Sequence, residues 1–108
     1  MNLPTEIFGN VVVVHTPEEI GEDHADQFQR LLTSQERVKV IVDLDGTESI
    51  DSAGLEALLD AQEQLRGELG DLKISTTNSV NRKILEITRL DQQLEVFDSV
   101  IDAVKSFV

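Results

Sequence analysis

Apolar residues run along this chain in two rhythms. Val11-Val12-Val13-Val14 and Val38-Lys39-Val40-Ile41-Val42-Asp43-Leu44 are close to continuous in β-branched residues, the pattern of strands buried on both faces. Elsewhere the apolar positions recur every three or four residues. Ala25, Phe28, Leu31 and Leu32 predict a helix over about 22–34. Leu55, Leu58, Leu59 and Leu65, with Ala57 and Ala61 beside them, predict a second over about 52–67, with Gly67 and Gly70 bracketing its exit. Val80, Ile84, Leu85 and Ile87 mark a third, capped by Thr77 or Asn78. A last helix starts from Asp98-Ser99 with Val100, Ile101, Val104 and Val108 as its inner face, and Ser99 and Asp102 have capping-box spacing.

Shorter strands complete the pattern. Glu6-Ile7-Phe8 turns at Gly9-Asn10 into the first valine run, since both turn residues tolerate positive φ. Leu72-Lys73-Ile74-Ser75-Thr76 and Leu94-Glu95-Val96-Phe97 are further strands. The order β-β-α-β-α-β-α-β-α predicts an α/β fold, a mixed β-sheet with helices packed against it.

Composition narrows the class. The 108 residues form one domain, 1–108, with a single core. Trp, Tyr and Cys are absent and four Phe supply all the aromatic mass, so the core is aliphatic and thiol chemistry is excluded. The formal net charge of −12 argues against nucleic acid and anionic membrane as partners, because both select basic surfaces. It suits a protein partner with a basic face. No apolar run approaches the roughly 20 residues of a membrane span. Met1-Asn2-Leu3-Pro4-Thr5-Glu6 has neither the basic head nor the apolar core of a signal peptide. A cytoplasmic protein without membrane insertion is expected.

His15 and His24 have no cysteine and no suitably spaced partners for zinc, and read as solvated surface side chains. Neither is brought to a serine by any sequence feature, so no cofactor or metal is expected. Val40-Ile41-Val42-Asp43-Leu44-Asp45-Gly46-Thr47 matches the first motif of haloacid-dehalogenase-type phosphatases, in which the first Asp attacks a phosphate and the second moves a proton. That reading lacks a later paired-acid motif, and two strands and a helix precede its strand. The plainer one has Asp43 ending a strand and Asp45-Gly46 making a turn.

Ile50-Asp51-Ser52-Ala53-Gly54-Leu55 places a hydroxyl where a helix begins. Capping by Asp51 or Ser52, worth ~1 kcal/mol, explains neither Ala53 nor Gly54. A helical Gly costs up to ~1 kcal/mol, and two nearly bare positions beside a hydroxyl leave the backbone approachable to a docking enzyme.

These residues, preceded by Val40-Ile41-Val42-Asp43-Leu44-Asp45-Gly46, resemble the signature of STAS domains, specifically the anti-sigma factor antagonists of bacteria. The resemblance continues through Ile84-Leu85-Glu86-Ile87-Thr88-Arg89-Leu90-Asp91 and Leu94-Glu95-Val96-Phe97-Asp98-Ser99. It implies a STAS-like fold and partner switching by a domain that is not itself an enzyme. Such a domain binds an anti-sigma factor that is also a serine kinase. The kinase phosphorylates the serine corresponding to Ser52, and a serine phosphatase restores it. Partner contacts are then implied at Asp51, Ala53, Gly54 and Glu56, with Asp51 helping to present the hydroxyl and Gly54 giving steric clearance. Glu19-Ile20-Gly21-Glu22-Asp23 resembles the segment that helps contact the kinase, which adds Glu22 and Asp23. Ala53 stands where a second serine is frequent, leaving one acceptor, and Glu56 stands where a small residue is frequent. The alternatives are a non-phosphorylated STAS scaffold or transport-complex subunit, and a phosphatase using Asp43 and Asp45.

Overall fold

A computed structural model describes residues 1–107. In chain order the elements are β1 (Thr5–Phe8), β2 (Val11–His15), β3 (Glu19–Ile20), α1 (Ala25–Thr33), β4 (Lys39–Asp43), β5 (Ser49–Ile50), α2 (Ser52–Gly67), β6 (Asp71–Ser75), α3 (Ser79–Ile87), a 3₁₀ turn (Leu90–Gln92), β7 (Val96–Phe97) and α4 (Val100–Lys105). The two valine-rich runs lie side by side. β2 and β4 are parallel, in register from Val11 opposite Lys39 to His15 opposite Asp43. β6 and β7 continue the sheet in parallel on one side, and β1 closes the other as the antiparallel arm of a hairpin turned at Gly9.

Both faces of this sheet are covered, which is why β4 reads as an unbroken apolar run. Val12, Val14, Val40, Val42, Leu72 and Ile74 pack with Phe28 and Leu32 of α1, Leu58 and Leu65 of α2, and Leu85 of α3. Val11, Val13 and Ile41 face the other way and meet Ala103 of α4. On that second face Lys73 is buried. Its ammonium donates to the Ser106 carbonyl (3.2 Å) and hydroxyl (2.9 Å) and sits 4.3 Å from the Phe107 ring centroid, which fastens the end of α4 to the sheet.

The observed architecture is the expected mixed sheet with helices packed on it, and four details differ. Val80 and Ile87 lie on the surface, 61% and 71% exposed. The inward line of α3 is instead Asn81 and Leu85, because the Asn81 amide donates to the carbonyls of Leu44 (3.0 Å) and Thr47 (2.8 Å). That polar anchor rotates the apolar flank outward. In α4, Ala103 takes the buried position and Ile101 is half exposed. Val100 and Val104 pack inward as expected, and Val108 lies outside the described residues. The strand expected over Leu94–Phe97 pairs only at Val96 and Phe97, while Leu94 sinks into the core. Finally, β3 and β5 are too short to leave any periodic signal, and they form a separate parallel pair.

α2 ends in a Schellman arrangement. The Gly70 amide donates to the Leu65 carbonyl (2.8 Å) and the Leu69 amide to the Arg66 carbonyl (3.1 Å). The left-handed position falls on Leu69, at φ 67° and 92% exposed. Gly70 is needed for a different reason, since a Cβ there would stand 2.0 Å from the Val38 carbonyl oxygen. A leucine at a left-handed position carries strain without buried contacts in return. Leu69→Gly is therefore expected to raise the unfolding free energy by about 0.5–1 kcal/mol, the relief of strain less the added freedom of the unfolded chain. Urea denaturation measures this, and an unchanged or lower midpoint would contradict it.

Candidate functional site

The carboxyl ends of the parallel strands carry the loops that build the site. The loop after β4 is fixed from both sides. The Asp45 carboxylate accepts from the Thr77 amide (2.6 Å) and from the hydroxyls of Thr76 and Thr77 (3.1 Å each). Thr47 is fully buried, and its hydroxyl donates to the Pro17 carbonyl at 2.6 Å. These bonds deliver the chain to β5, which pairs with β3 as Ser49 opposite Glu19 and Ile50 opposite Ile20.

Asp51 follows in extended conformation and caps α2, its Oδ1 accepting from the Gly54 amide at 3.0 Å. Its Oδ2 accepts from the Glu22 amide, also at 3.0 Å. Those backbone N–H groups of Gly54 and Glu22 hold the Asp51 carboxyl below its ordinary value. Ser52 is the first helical residue and is exposed. No side-chain hydrogen bond within the described residues ties up its hydroxyl. Gly54 is buried, and a Cβ there would meet the Ile20 carbonyl oxygen at 2.6 Å and Ile50 Cγ1 at 2.9 Å. Residues two apart on a helix point roughly 200° apart, so turning residue 54 inward turns residue 52 outward.

This changes the role expected for Gly54. Its missing side chain makes room for the domain's own β3–β5 pair, and its buried position leaves no clearance for a visitor to use. Ala53 is half-buried and Glu56 exposed, and both line a groove between α1 and α2 with Glu22, Asp26 and Asp60. Glu22 and Asp23 line an adjoining hollow with Glu19, His24 and Asp51. Asp51 lines one of these carboxylate-rich hollows and Ala53 the other, so in the chain Ser52 lies between a residue of each. The link from Asp51 to Glu22, 29 positions away, has no local signature. The paired small residues Gly21 and Gly54 are its only trace in the sequence.

The other candidate groups are engaged in the fold. Asp43 Oδ1 accepts from the Asp45 amide (3.0 Å) and Oδ2 bonds His15 Nδ1 (2.8 Å), so the Asp pair of the phosphatase reading is committed to strand-end contacts. Among the described residues no group of three or more His, Asp or Glu side chains is arranged to hold a metal ion. His24 is exposed at the start of α1. His15 is not the solvated side chain expected. It is half-buried between Asp43 and Glu6, whose Oε1 lies 2.6 Å from Nε2. Burial draws its pKa down, but the hydrogen bonds and negative charges of Glu6 and Asp43 outweigh that and leave it raised above 6.5.

With fold and site in place, the class follows: residues 2–103 match the STAS domain model, and the chain belongs to that family. Among solved structures it is similar to an anti-sigma factor antagonist from Mycobacterium paratuberculosis (22% identity, 97% of this chain and 92% of that one, TM-score 0.83). It is similar also to a sulfate transporter family protein from Wolinella succinogenes (20%, 94% and 87%, 0.79). A third is the phosphorylated form of the Bacillus cell fate determinant SpoIIAA (14%, 99% and 100%, 0.71). At these identities the likeness is one of fold. A comparison with curated proteins finds no match.

Two outcomes test the geometry. Gly54→Ala overpacks the joint between α2 and Ile20 and is expected to cost about 1–3 kcal/mol in urea denaturation; wild-type stability would mean the approach is looser than described. A raised histidine pKa stabilises the fold fully below the unfolded value of 6.5 and ceases to do so as pH rises through the native value. Unfolding free energy should therefore decline as pH rises above about 6.5, and decline less in His15→Gln. The same slope in both proteins would remove His15 from the explanation.

Proposed function

We propose that this STAS domain is an anti-sigma factor antagonist that works by partner switching. In its unmodified state it binds an anti-sigma factor that is also a serine kinase, and phosphorylation of Ser52 by that kinase ends the complex. A serine phosphatase would reset it. The observation that carries this reading is the exposed, unheld hydroxyl of Ser52 on the first turn of α2. The likeness to anti-sigma factor antagonist folds supports it.

Electrostatics supplies the mechanism. Phosphate adds about −1.5 to −2 charge at a helix start, which favours it by ~0.3–1 kcal/mol, while Asp51 beside it repels by a similar amount. The nearest hollows offer carboxylates and no lysine or arginine to pair with it. The domain itself therefore has little reason to rearrange. At a packed interface the same unpaired dianion costs several kcal/mol, and a switch of ~10²–10³-fold needs only ~3–4 kcal/mol. Repulsion suffices.

A second reading, a STAS scaffold or transport-complex subunit that is never phosphorylated, takes its support from the likeness to a sulfate transporter family protein. Calorimetry against the kinase partner separates the two. Ser52→Ala should bind constitutively and Ser52→Asp at least about tenfold more weakly. Equal affinities would refute switching at this residue.

A further inference from the structure

We propose that Asp51 is a positioning residue that welds the two partner-facing segments of this domain into one preformed surface, its second carboxylate oxygen holding the Gly21–Glu22 backbone against the helix that presents Ser52. The inference rests on Ser52 as acceptor and Glu22–Asp23 as contacts, and adds what joins them.

Capping α2 takes one oxygen, and Oδ1 supplies it to the Gly54 amide. Oδ2 is left over for the cap, yet it is not free, since it accepts from the Glu22 amide. The surrounding chain is shaped to this second bond. A Cβ on Gly21 would lie 3.2 Å from Oδ2, a tight contact that would push the carboxylate back by a few tenths of an ångström. Gly54 does the same on the other side, where its absent side chain admits the Ile20 carbonyl. The Asp51 amide meanwhile donates to that Ile20 carbonyl at 3.2 Å. Residue 51 therefore bonds the segment through its backbone before Gly21 and through its side chain after it.

The segment needs such a pin. β3 is two residues long, and Glu22, Asp23 and His24 are exposed, with only the bond from the His24 amide to the Gly21 carbonyl (3.0 Å) inside the turn. A loose turn would have to be ordered when a partner docks, and that ordering subtracts from affinity. Pinned by Oδ2, it is already in place. The carboxyl's lowered pKa, caused by the same two amides, agrees with both oxygens being engaged as acceptors.

Asparagine separates the two functions. It caps helices as well as aspartate does but has a single acceptor oxygen. In Asp51→Asn, amide hydrogen exchange followed by NMR on the whole domain should show the Glu22 amide exchanging at least about tenfold faster, with the Gly54 and Leu55 amides changed less than about twofold. Gly21→Ala provides a second route that leaves Asp51 intact: its new methyl crowds Oδ2 and should free Glu22 in the same selective way. Wild-type protection at Glu22 in both variants would overturn the proposal, as would loss at Gly54 equal to that at Glu22 in both. With the serine kinase that modifies Ser52, Asp51→Asn should raise KM by a larger factor than it lowers kcat; the reverse pattern would contradict a positioning role. The exchange readout needs no partner. A wild-type domain that no kinase modifies would therefore refute the functional reading while leaving the pin to stand or fall on its own.

Discussion

The functional end of this domain depends on one close approach. The first turn of α2 lies directly on the backbone of Ile20, with no space for a side chain at residue 54. From that contact the remaining geometry follows by helical periodicity and chain connection. Burying Gly54 sends Ser52 to the opposite side, into solvent. It also brings the Asp51 carboxylate within reach of the chain beyond Ile20, where the Glu22 amide meets it. An exposed hydroxyl, a capped helix start and a held acidic turn are three consequences of a single missing methyl group.

The scaffold beneath makes that approach reproducible. β4 lies between β2 and β6 with Val40, Ile41 and Val42 fully buried, so the position of its carboxyl end is set by packing on both faces. The polar groups that follow translate this into loop geometry: Asp45 onto Thr76 and Thr77, Thr47 onto Pro17, and Asn81 back onto Leu44 and Thr47. The motif that invited comparison with a phosphotransfer nucleophile is thus part of the mounting for the loop that leads to Ser52. On the proposed reading, a phosphate on Ser52 would gain little internal reward from a surface already lined with carboxylates and would be felt at an interface more than in the fold.

Much of the architecture was legible in the sequence, because the strongest signals there are the ones tertiary packing obeys. The valine runs became the central strands, and α2 begins and ends where its apolar spacing and glycines indicate. The family is shown by the match over residues 2–103. What stayed hidden has physical reasons. Apolar periodicity cannot reveal that Asn81 points inward, because the reward is two carbonyls more than thirty positions away. Nor can it show that Ala103, small enough to let α4 sit close, displaces Ile101 from the core. Strands of two residues have no period at all. His15 looked solvated because its partners, Glu6 and Asp43, come from two other strands. Asp51 as the cap of α2 and Ser52 as its first residue were recognisable from local pattern, whereas the packing role of Gly54 needed knowledge of what lies behind it.

The most direct measurement is the mass of the intact protein after incubation with candidate serine kinases and ATP, followed by fragmentation to place any added group. One phosphate should appear, confined to Ser52, and none should appear on Ser52→Ala. An unmodified protein, or a phosphate carried by any other residue, would contradict the assignment of this hydroxyl as the switch.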